Sequence, residues 1–476
     1  MTSTFFGLNT ALTGLQAQQM ALNVTAHNVA NANTDGYSRQ EVDMTATYPY
    51  TVPTANRGVG AGQIGTGVEV ENISRVRDQF LDSQIRSQLS AQGSWQTTQD
   101  YLGQLESVFN EPSDSGLSTL FGTMWNAWQD LSVSPDSTSA KAAVVQAGTG
   151  LADELNRDAS QLSTLRDQAG QEAGLNVSDV NSDLQQIADL NNQIQKVQLV
   201  GDQPNDLMDK RDLLLDKLAT TLPISYQQDA QGQLTITLGS KSGGPTLVSG
   251  SSYGSLQSAT NADGTLAVTM TDSSGTSAGD VTSSLTSGTL GGLIDVHDQV
   301  LNPSYSGSLA WRLNQLASTL ITQVNKVYDP SGATKFFDGT DASNISVDGS
   351  LVNDPTTVRS GSSGAAGDGS VALAIANLQT TVVDCNGDGQ PDSTIGDWYN
   401  QLVTKLGSDS QQAQQMTTNQ KALVNQLTTS RQSNSGVSLD EEATNMVKYQ
   451  RAYEASARVM TAMDQMLETL INSMGT

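Results

Sequence analysis

The chain is 476 residues long, with 49 Asp and Glu against 23 Lys and Arg and a formal net charge of −26. That length accommodates several domains, and 36% hydrophobic with 5% aromatic residues favours thin helical bundles and small β modules over large cores. The acidic balance excludes nucleic acid as a partner, since phosphate recognition needs clustered Lys and Arg; the single cysteine, Cys385, excludes an intrachain disulfide; and no apolar run reaches the ~18–20 residues of a membrane span, so no membrane insertion is expected.

The N-terminus has neither a positive n-region nor an uninterrupted apolar core, so it does not read as a secretory signal peptide. Phe5, Leu8, Leu12, Leu15, Gln19, Leu22, Ala26 and Val29 follow alternating spacings of three and four, the period of a coiled-coil helix. Residues 1–34 hold no Asp, Glu, Lys or Arg, which suits a helix packed densely against other copies, where charges are costly to desolvate. The helix is predicted to fail between Asn28 and Tyr37, where Asn31, Asn33 and Asp35 compete for backbone hydrogen bonds and Asp35-Gly36 signals a turn. Glu41 to Val70, with Pro49, Pro53 and several glycines, reads as irregular loop and β.

Helix is expected from Arg75 to Phe109 and again from Leu117 to Leu131, where Trp125 and Trp128 lie on the apolar face and read as core. Ser139 to Leu199 holds the longest helical stripe, and Asn205 to Leu222 adds a shorter helix ended by Pro223. From Ile224 to about Ser284 Gly, Ser and Thr dominate. Leu234, Ile236 and Leu238 alternate with Thr, and Leu266, Val268 and Met270 repeat the pattern after Asp263-Gly264, as hairpins do. Helix returns at Leu290–Val300, Leu309–Val327, Val371–Val383 and Trp398–Leu427, with a loop-rich stretch from Thr334 to Ser370.

Ser438 followed by Glu441 reads as a capping box that opens a last helix, with Asp440, Glu441 and Glu442 in its first turn and Gly475 as its stop. Its seam runs Ala443, Met446, Gln450, Tyr453, Ala457, Met460, Asp464, Leu467, Ile471 and Met474, with Gln450 and Asp464 as polar interruptions that read as register markers. The two terminal seams are expected to bury against each other and against neighbouring copies; in the free monomer they should be partly disordered, because a lone seam buries too little to offset ordering entropy. The expected fold is mainly α with an inserted β part. Terminal coiled-coil helices (1–40 and 436–476) flank a long helical-bundle rod with loop and β elements (41–222 and 285–435), and a small antiparallel β domain (223–284) bulges outward.

Residues 26–37 (Ala-His-Asn-Val-Ala-Asn-Ala-Asn-Thr-Asp-Gly-Tyr) resemble the rod–hook signature shared by axial proteins of the bacterial flagellum, and the continuation Ser38-Arg39-Gln40 resembles the hook-associated protein 1 family of hook–filament junction proteins. Asn205 to Asp212 (Asn-Asp-Leu-Met-Asp-Lys-Arg-Asp) is similar to an internal helix motif of that family, and Gly436 to Glu442, which includes Leu439, Asp440 and Glu441, with Tyr449 to Ala457, is similar to its C-terminal signature. The resemblance carries the signature roles onto Asn28, Asn31, Asn33, Thr34, Gly36 and Tyr37. The stretch from Lys335 to Ser370 is too short for the extra outer domain of some members.

The resemblance implies a structural, non-enzymatic axial protein of the flagellum, exported by the type III apparatus without a cleaved signal and held beforehand by an export chaperone that binds near the C-terminus. It implies assembly outside the cell as a ring of about eleven subunits in a tubular lattice, an inner axial layer made by the terminal helices, and two further partners, the hook protein and a second hook-associated junction protein. On that basis Phe5, Leu8, Leu12, Leu15, Leu22, Val29, Met446, Tyr453, Met460, Leu467 and Ile471 are the expected assembly interface.

No catalytic constellation is visible. His27 and His297 stand alone as structural residues, and Cys385 has no His partner motif. Asp384, Asn386, Asp388 and Asp392, with Gly389, resemble the first part of a calcium loop, but Ile395 stands where a bidentate Glu is needed, and a plain polar turn accounts for the same residues. No cofactor is otherwise expected. Two alternatives remain open at this point: a secreted calcium-dependent binding or adhesion module, and another flagellar axial protein such as hook or distal rod. Ser38-Arg39-Gln40 and the long 139–199 helix weigh against the latter.

Overall fold

A computed structural model describes residues 5–49, 65–113, 116–229, 231–239 and 243–474. Pro53, the expected Gly475 stop and the Met474 side chain lie outside what it describes. In chain order, helix α1 (Phe5–Ala30) leads into strands β1 (Gln40–Ala46) and β2 (Val68–Arg75), then helices α2 (Gln79–Phe109), α3 (Leu117–Val133), α4 (Thr138–Leu199) and α5 (Asn205–Thr221). Seven strands follow: β3 (Ile224–Gln228), β4 (Leu234–Leu238), β5 (Thr246–Ser249), β6 (Ser252–Tyr253), β7 (Ser255–Thr260), β8 (Leu266–Thr271) and β9 (Ser277–Asp280). The return half holds α6 (Gly288–Asp295), α7 (Leu309–Tyr328), β10 (Phe337–Asp338), β11 (Ser346–Val347), α8 (Gly349–Asn353), α9 (Ser370–Ala376), α10 (Ile395–Ser435) and α11 (Leu439–Met474).

The two halves nest. α11 packs on α1, α10 packs on α2, and α4 runs through the middle as a 62-residue spine. Ser137 caps that spine by accepting a hydrogen bond from the Ala140 N–H at 3.3 Å. Around its first half an aromatic cluster fills the core, with the Trp128 ring 4.9 Å from Phe336 and 6.3 Å from Tyr328.

The β part is two antiparallel sheets, ordered β3-β4-β5-β6 and β7-β8-β9. Their buried face (Leu234, Ile236, Leu238, Val248, Leu256, Val268) joins the same hydrophobic core as the helices. Side chains of α4 and α5 fasten it further. Asn181 pairs with both backbone groups of Leu256 at 2.8 and 2.9 Å, and Asn191 donates to the Leu234 and Gly250 carbonyls at 3.1 and 2.8 Å. Arg211, fully buried, donates to Asn191 Oδ1 and the Gly232 carbonyl. The β insert is thus distinct in chain topology but continuous with the rod in packing.

The terminal pair differs from the expected seam by one column. On α11 the half-buried or buried positions are Glu442, Asn445, Met446, Tyr449, Ala452, Tyr453, Ser456, Ala457, Met460, Met463 and Leu467, while Gln450 and Asp464 are exposed. Met446, Tyr453, Ala457, Met460 and Leu467 lie in the seam as expected; Gln450 and Asp464, the two polar interruptions, leave it, and Tyr449 and Met463, each one residue before them, enter. On α1 the buried positions are Ala11, Ala17, Ala21, Val24, Thr25 and Asn28, with Gly7, Gly14 and Gln18 half-buried beside them; most are small, and Gly7, Ala11, Gly14, Ala21 and Asn28 each precede a large apolar residue of the expected row. A Cβ at Gly7 would meet Met463 and one at Gly14 would meet Ser456, so seven residues forward on α1 is seven back on α11: the pair is antiparallel. Hydrophobicity selects the large residues, but small ones let two helix axes approach closely.

Other boundaries also move. Arg75 ends a strand rather than starting a helix; α2 begins at Gln79, capped by Asp78, which accepts from the Phe80 and Leu81 N–H groups. The expected Val371–Val383 helix stops at Thr380, where the β-branched run Thr380-Thr381-Val382-Val383 turns extended and Val383 bridges to Ser393. Val296–Val300 is a π-helical turn rather than α-helix. The Ser438 hydroxyl accepts from the Glu441 N–H at 3.4 Å, but the Glu441 carboxylate turns to Arg39 instead of back to the cap, so the capping box is half formed.

Two predictions follow from this packing. A Gly14→Cys/Ser456→Cys chain should form an intramolecular disulfide under mild oxidation, read as faster migration on a non-reducing gel, whereas Gly14→Cys/Gln450→Cys should not. Asp158 on α4 is 2% exposed. Burial pushes its carboxyl up to about 7, with Arg157 opposing and Glu111 adding to the rise. The unfolded chain releases this proton near the ordinary 3.8 and the folded chain only near 7, so stability falls as pH rises between those values. Asp158→Asn should therefore raise stability at pH 8 by about 2–4 kcal/mol and change it little at pH 4, measured by urea unfolding at both values.

Candidate functional site

The terminal pair meets the rod at a turn built by residues 28–40. α1 ends at Ala30, and Asn31 donates back to the His27 carbonyl at 3.1 Å while Thr34 Oγ1 donates to Asn31 Oδ1 at 3.3 Å. Gly36 has φ +78 and lies against Leu213, so a side chain there would be strained twice over. Asn28 then acts as a short strand edge. Its amide donates to the Gln40 carbonyl at 2.9 Å and accepts the Gln40 N–H at 3.0 Å, and the Tyr37 hydroxyl donates to the same Oδ1 at 2.7 Å. Burial, then Asp206, Asp209 and Glu442, hold the Tyr37 hydroxyl well above the ordinary tyrosine range, which keeps it a donor.

Three segments far apart in sequence converge here. Ser38 donates through N–H and hydroxyl to the Asp209 carboxylate at 2.9 and 2.8 Å, and Gln40 Nε2 donates to Asp206 at 2.9 Å. Asn205 donates to the Ile73 carbonyl at 2.7 Å. The Arg39 N–H donates to the Ser435 carbonyl at 2.8 Å, and its guanidinium bridges Glu441 at 2.9 Å and Glu41 at 3.2 Å. Residues 26–40, 205–212 and 436–442 therefore form one site. Glu442 is buried in it, whereas Asn33, Leu439 and Asp440 are exposed at its rim.

Beneath the turn lies a buried ion network. Asp209, Asp212 and Asp216 sit at i, i+3 and i+7 on one face of α5. Arg75 bridges Asp209 and Asp212 at 2.7 and 2.9 Å; Arg77 holds both oxygens of Asp82 at 2.8 and 3.0 Å and reaches Asp212 at 3.3 Å. Arg86 joins Asp212 and Asp216 at 3.2 and 2.8 Å, and Arg431 from α10 closes onto Asp216 at 2.7 Å. Burial alone would raise the Asp212 carboxyl, but Arg77, Arg86 and Arg75 outweigh it and hold it at about 2. Burial likewise would lower the Arg86 guanidinium, and Asp216 and Asp212 instead hold it above the ordinary arginine value. Two clefts of about 500 and 510 Å³ flank the network, one along β2 and β3, the other between the 32–38 turn and the end of α10.

The remaining expected residues lie apart from this clamp. Phe5, Leu12, Val29 and Ile471 are exposed, Leu8, Leu15 and Leu22 half-buried, and Met446, Tyr453, Met460 and Leu467 face α1 within the chain. In the 384–392 turn Asp384 accepts from the Gly387, Asp388 and Gly389 N–H groups, Asn386 from Asp388, Asp388 from Gln390, and Asp392 from Cys385. Among the described residues no group of three or more His, Cys, Asp or Glu is placed to hold a metal ion. His27 meets Asp206 at 3.3 Å and His297 meets Asp298 at 2.6 Å; neither stands beside a nucleophile.

Nothing in the clamp is arranged to react. It fixes an angle between helices. Arg75, Arg77, Arg86, Asp82, Asp216 and Arg431 were not singled out in the sequence, yet a signal existed: in a chain with twice as many acids as bases, Arg75-x-Arg77 and Arg86 cluster ahead of a helix that puts three Asp on one face.

Family models match three stretches: "Flagellar hook-associated protein FlgK helical domain" over residues 102–360, "Flagella basal body rod protein" over 8–37 and "Flagellar basal body rod FlgEFG protein C-terminal" over 423–474. A curated relative named flagellar hook-associated protein 1 from Bacillus subtilis is 36% identical over 508 residues, covering 100% of this chain and 99% of its own length. Proteins of the same name from Salmonella typhimurium and Escherichia coli are 27% and 25% identical, each over 98% of this chain and 99% of the relative. The solved structure of the flagellar hook junction protein FlgK from Burkholderia pseudomallei shares the fold, with TM-score 0.64 and 17% identity over 74% of this chain and 100% of that one.

Asp212→Asn should destabilise the fold by about 3 kcal/mol at pH 7, because three guanidiniums lose a buried partner. A carboxylate held below its free value stabilises the fold fully above the unfolded pKa and loses that contribution as the pH falls toward the folded one, here from 3.8 to about 2. The gap between wild type and variant should therefore shrink by about 2 kcal/mol across that interval, measured by denaturant unfolding at stepped pH.

Proposed function

The chain belongs to the flagellar hook-associated protein 1 family and is a hook-associated protein of the flagellum; from that membership we propose that it forms the junction between hook and filament, as a ring whose subunits join through α1 and α11. The observation that carries this reading is the surface left on the terminal pair. Small residues of α1 receive the Met and Tyr row of α11, and a second set of large apolar side chains stays outside: Leu12 is 40% exposed, Val29 38%, Val459 48% and Met466 56%. A charge-free α1 with Leu12 and Val29 outward suits an interface repeated head to tail with fixed rotation, which closes into rings or tubes. By family analogy the ring holds about eleven copies.

The same membership supports the remaining partners. The ring would meet the hook protein on one side and a second hook-associated junction protein on the other. Export through the flagellar type III apparatus would precede assembly, with a chaperone covering the apolar C-terminal residues until then. The acidic rod and β part stand on the solvated outside in this arrangement.

Deleting residues 440–476 should abolish filament growth and release flagellin into the medium, read by electron microscopy and by immunoblot of the supernatant. Leu12→Asp, at an exposed position, should do the same while the purified chain keeps its circular dichroism and melting curve. Normal filaments on either variant overturn the reading.

A further inference from the structure

α11 is the most lightly held of the long helices. Of its described residues only Glu442 is buried, whereas α10, which it continues, buries Ile395, Trp398, Tyr399, Leu402 and Leu406 among others. Apolar and small side chains make its packing on α1. Apolar burial is non-directional, so it holds α11 close but fixes the rotation of the helix only loosely. A direction comes from one polar contact. Among the described residues the Arg39 guanidinium, donating from Nη1 to Glu441 Oε2 at 2.9 Å, makes the one hydrogen bond and ion pair between α11 and another element.

Arg39 reaches that contact from a fixed base. Ser38 and Gln40 on either side of it are buried and bonded to Asp209 and to Asn28. The Arg39 carbonyl accepts the Val76 N–H at 2.9 Å, and its N–H donates at 2.8 Å to the carbonyl of Ser435, the last residue of α10. Gly436, Val437 and Ser438 are all that separates α10 from α11. One residue therefore grips both sides of the joint, α10 through its backbone and α11 through its side chain, while Glu41 at 3.2 Å steadies the guanidinium. Three consecutive acids open α11, and they are not equivalent. Asp440 is exposed, Glu442 is buried beside Tyr37 and Tyr449, and Glu441 alone of the three meets Arg39. Successive helical residues lie about 100° apart around the axis, so this choice selects one rotation of α11.

We propose that Arg39 is the positioning residue of the α10–α11 joint, a splint whose bond to Glu441 sets the rotation of α11 on α1. Rotation decides which side chains of α11 meet α1 and which stay outward. With the splint made, Tyr449, Tyr453, Met460 and Met463 lie in the seam, and Val459 and Met466 stay exposed. A turn by one residue would bring Gln450 and Asp464 into the seam and carry Tyr449 and Met463 out, the packing that heptad spacing alone allows equally well. The Glu441 side chain is 64% exposed, so the pair adds little to stability and its value is positional. The consequence for assembly rests on the ring reading above: the outward set of α11 is the surface a neighbouring copy would meet.

In the Gly14→Cys/Ser456→Cys chain, adding Glu441→Ala or Arg39→Ala should slow disulfide formation about threefold, the scale of one exposed ion pair, with the melting curve unchanged for Glu441→Ala. Reversing the pair, Arg39→Glu/Glu441→Arg, should restore the rate, which loss of mere space-filling would not allow. An unchanged rate in Glu441→Ala, or no recovery in the reversed pair, overturns the proposal. In cells that depend on this chain, Glu441→Arg should lower the fraction of hooks bearing filaments several-fold, and the reversed pair should restore it. Filaments at normal frequency despite a slowed cross-link strike out the role in assembly. The cross-link is read on the purified monomer and needs no ring, so normal filaments from Leu12→Asp would sink the ring reading and leave the splint standing.

Discussion

The row of carboxylates on α5 is the constraint on which the architecture depends. Asp209, Asp212 and Asp216 receive Ser38 from the first turn, Arg75 and Arg77 from the hairpin exit, Arg86 from α2 and Arg431 from α10. Every strand of chain that passes between the terminal pair and the rod is tied to this one helical face or, like Arg39, to its neighbours. Buried ion pairs add little net stability when compared with apolar packing, because desolvation offsets attraction. Their value here is angular. A guanidinium bound at two oxygens accepts one geometry, while an apolar contact slides. The joint between terminal pair and rod is held by the first kind of contact.

The terminal pair shows the complementary economy of apolar surface. α1 sets Gly7 and Gly14 against α11 and buries Ala11 and Ala21, while Leu12 and Val29 stay exposed. Small residues permit a close approach within the chain, and α1 uses its other buried positions against the β1–β2 hairpin, where Gln18 meets Met44. Coiled-coil periodicity at α1 thus serves two packing faces within the single chain.

Periodicity made much of this legible. The 62-residue spine, the alternating Thr/apolar strands of the insert and the pairing of chain ends follow from spacing alone, because helix and strand periods leave unmistakable patterns over long runs. The seam column did not follow. Met446, Tyr453, Met460 and Leu467 fit two heptad frames that differ by one residue, and only the glycines and alanines of α1 decide between them. The clamp was half legible: its motif segments were visible, but as three separate matches. That they touch depends on pairings such as Ser38 with Asp209, which local pattern cannot supply. Arg75 reads as a helix start but ends β2, a strand whose alternation slips by one residue at Glu71, opposite Asp43 and Met44 of β1.

How the chain holds its other acids explains why so few bases suffice. Asp263, Asp272, Asp280, Asp329, Asp348 and Asp368 each accept an N–H from the residue two positions on, and in most of them the Ser or Thr hydroxyl there as well. Those bonds, the hydroxyl foremost, hold these carboxyls below the usual range, except that at Asp368 the Ser363 hydroxyl and N–H come first. Asp-x-Ser/Thr turns thus pin the loops of the rod and the β part with local donors and few cations. Asp329 also meets an arginine, Arg359, at 3.2 Å. Arginine can then be concentrated where local donors do not reach, at the junction of five elements. An acidic exterior and a guanidinium clamp are two results of one allocation: turns satisfy carboxylates that need only stay in place, and arginines satisfy those that must hold separate elements together.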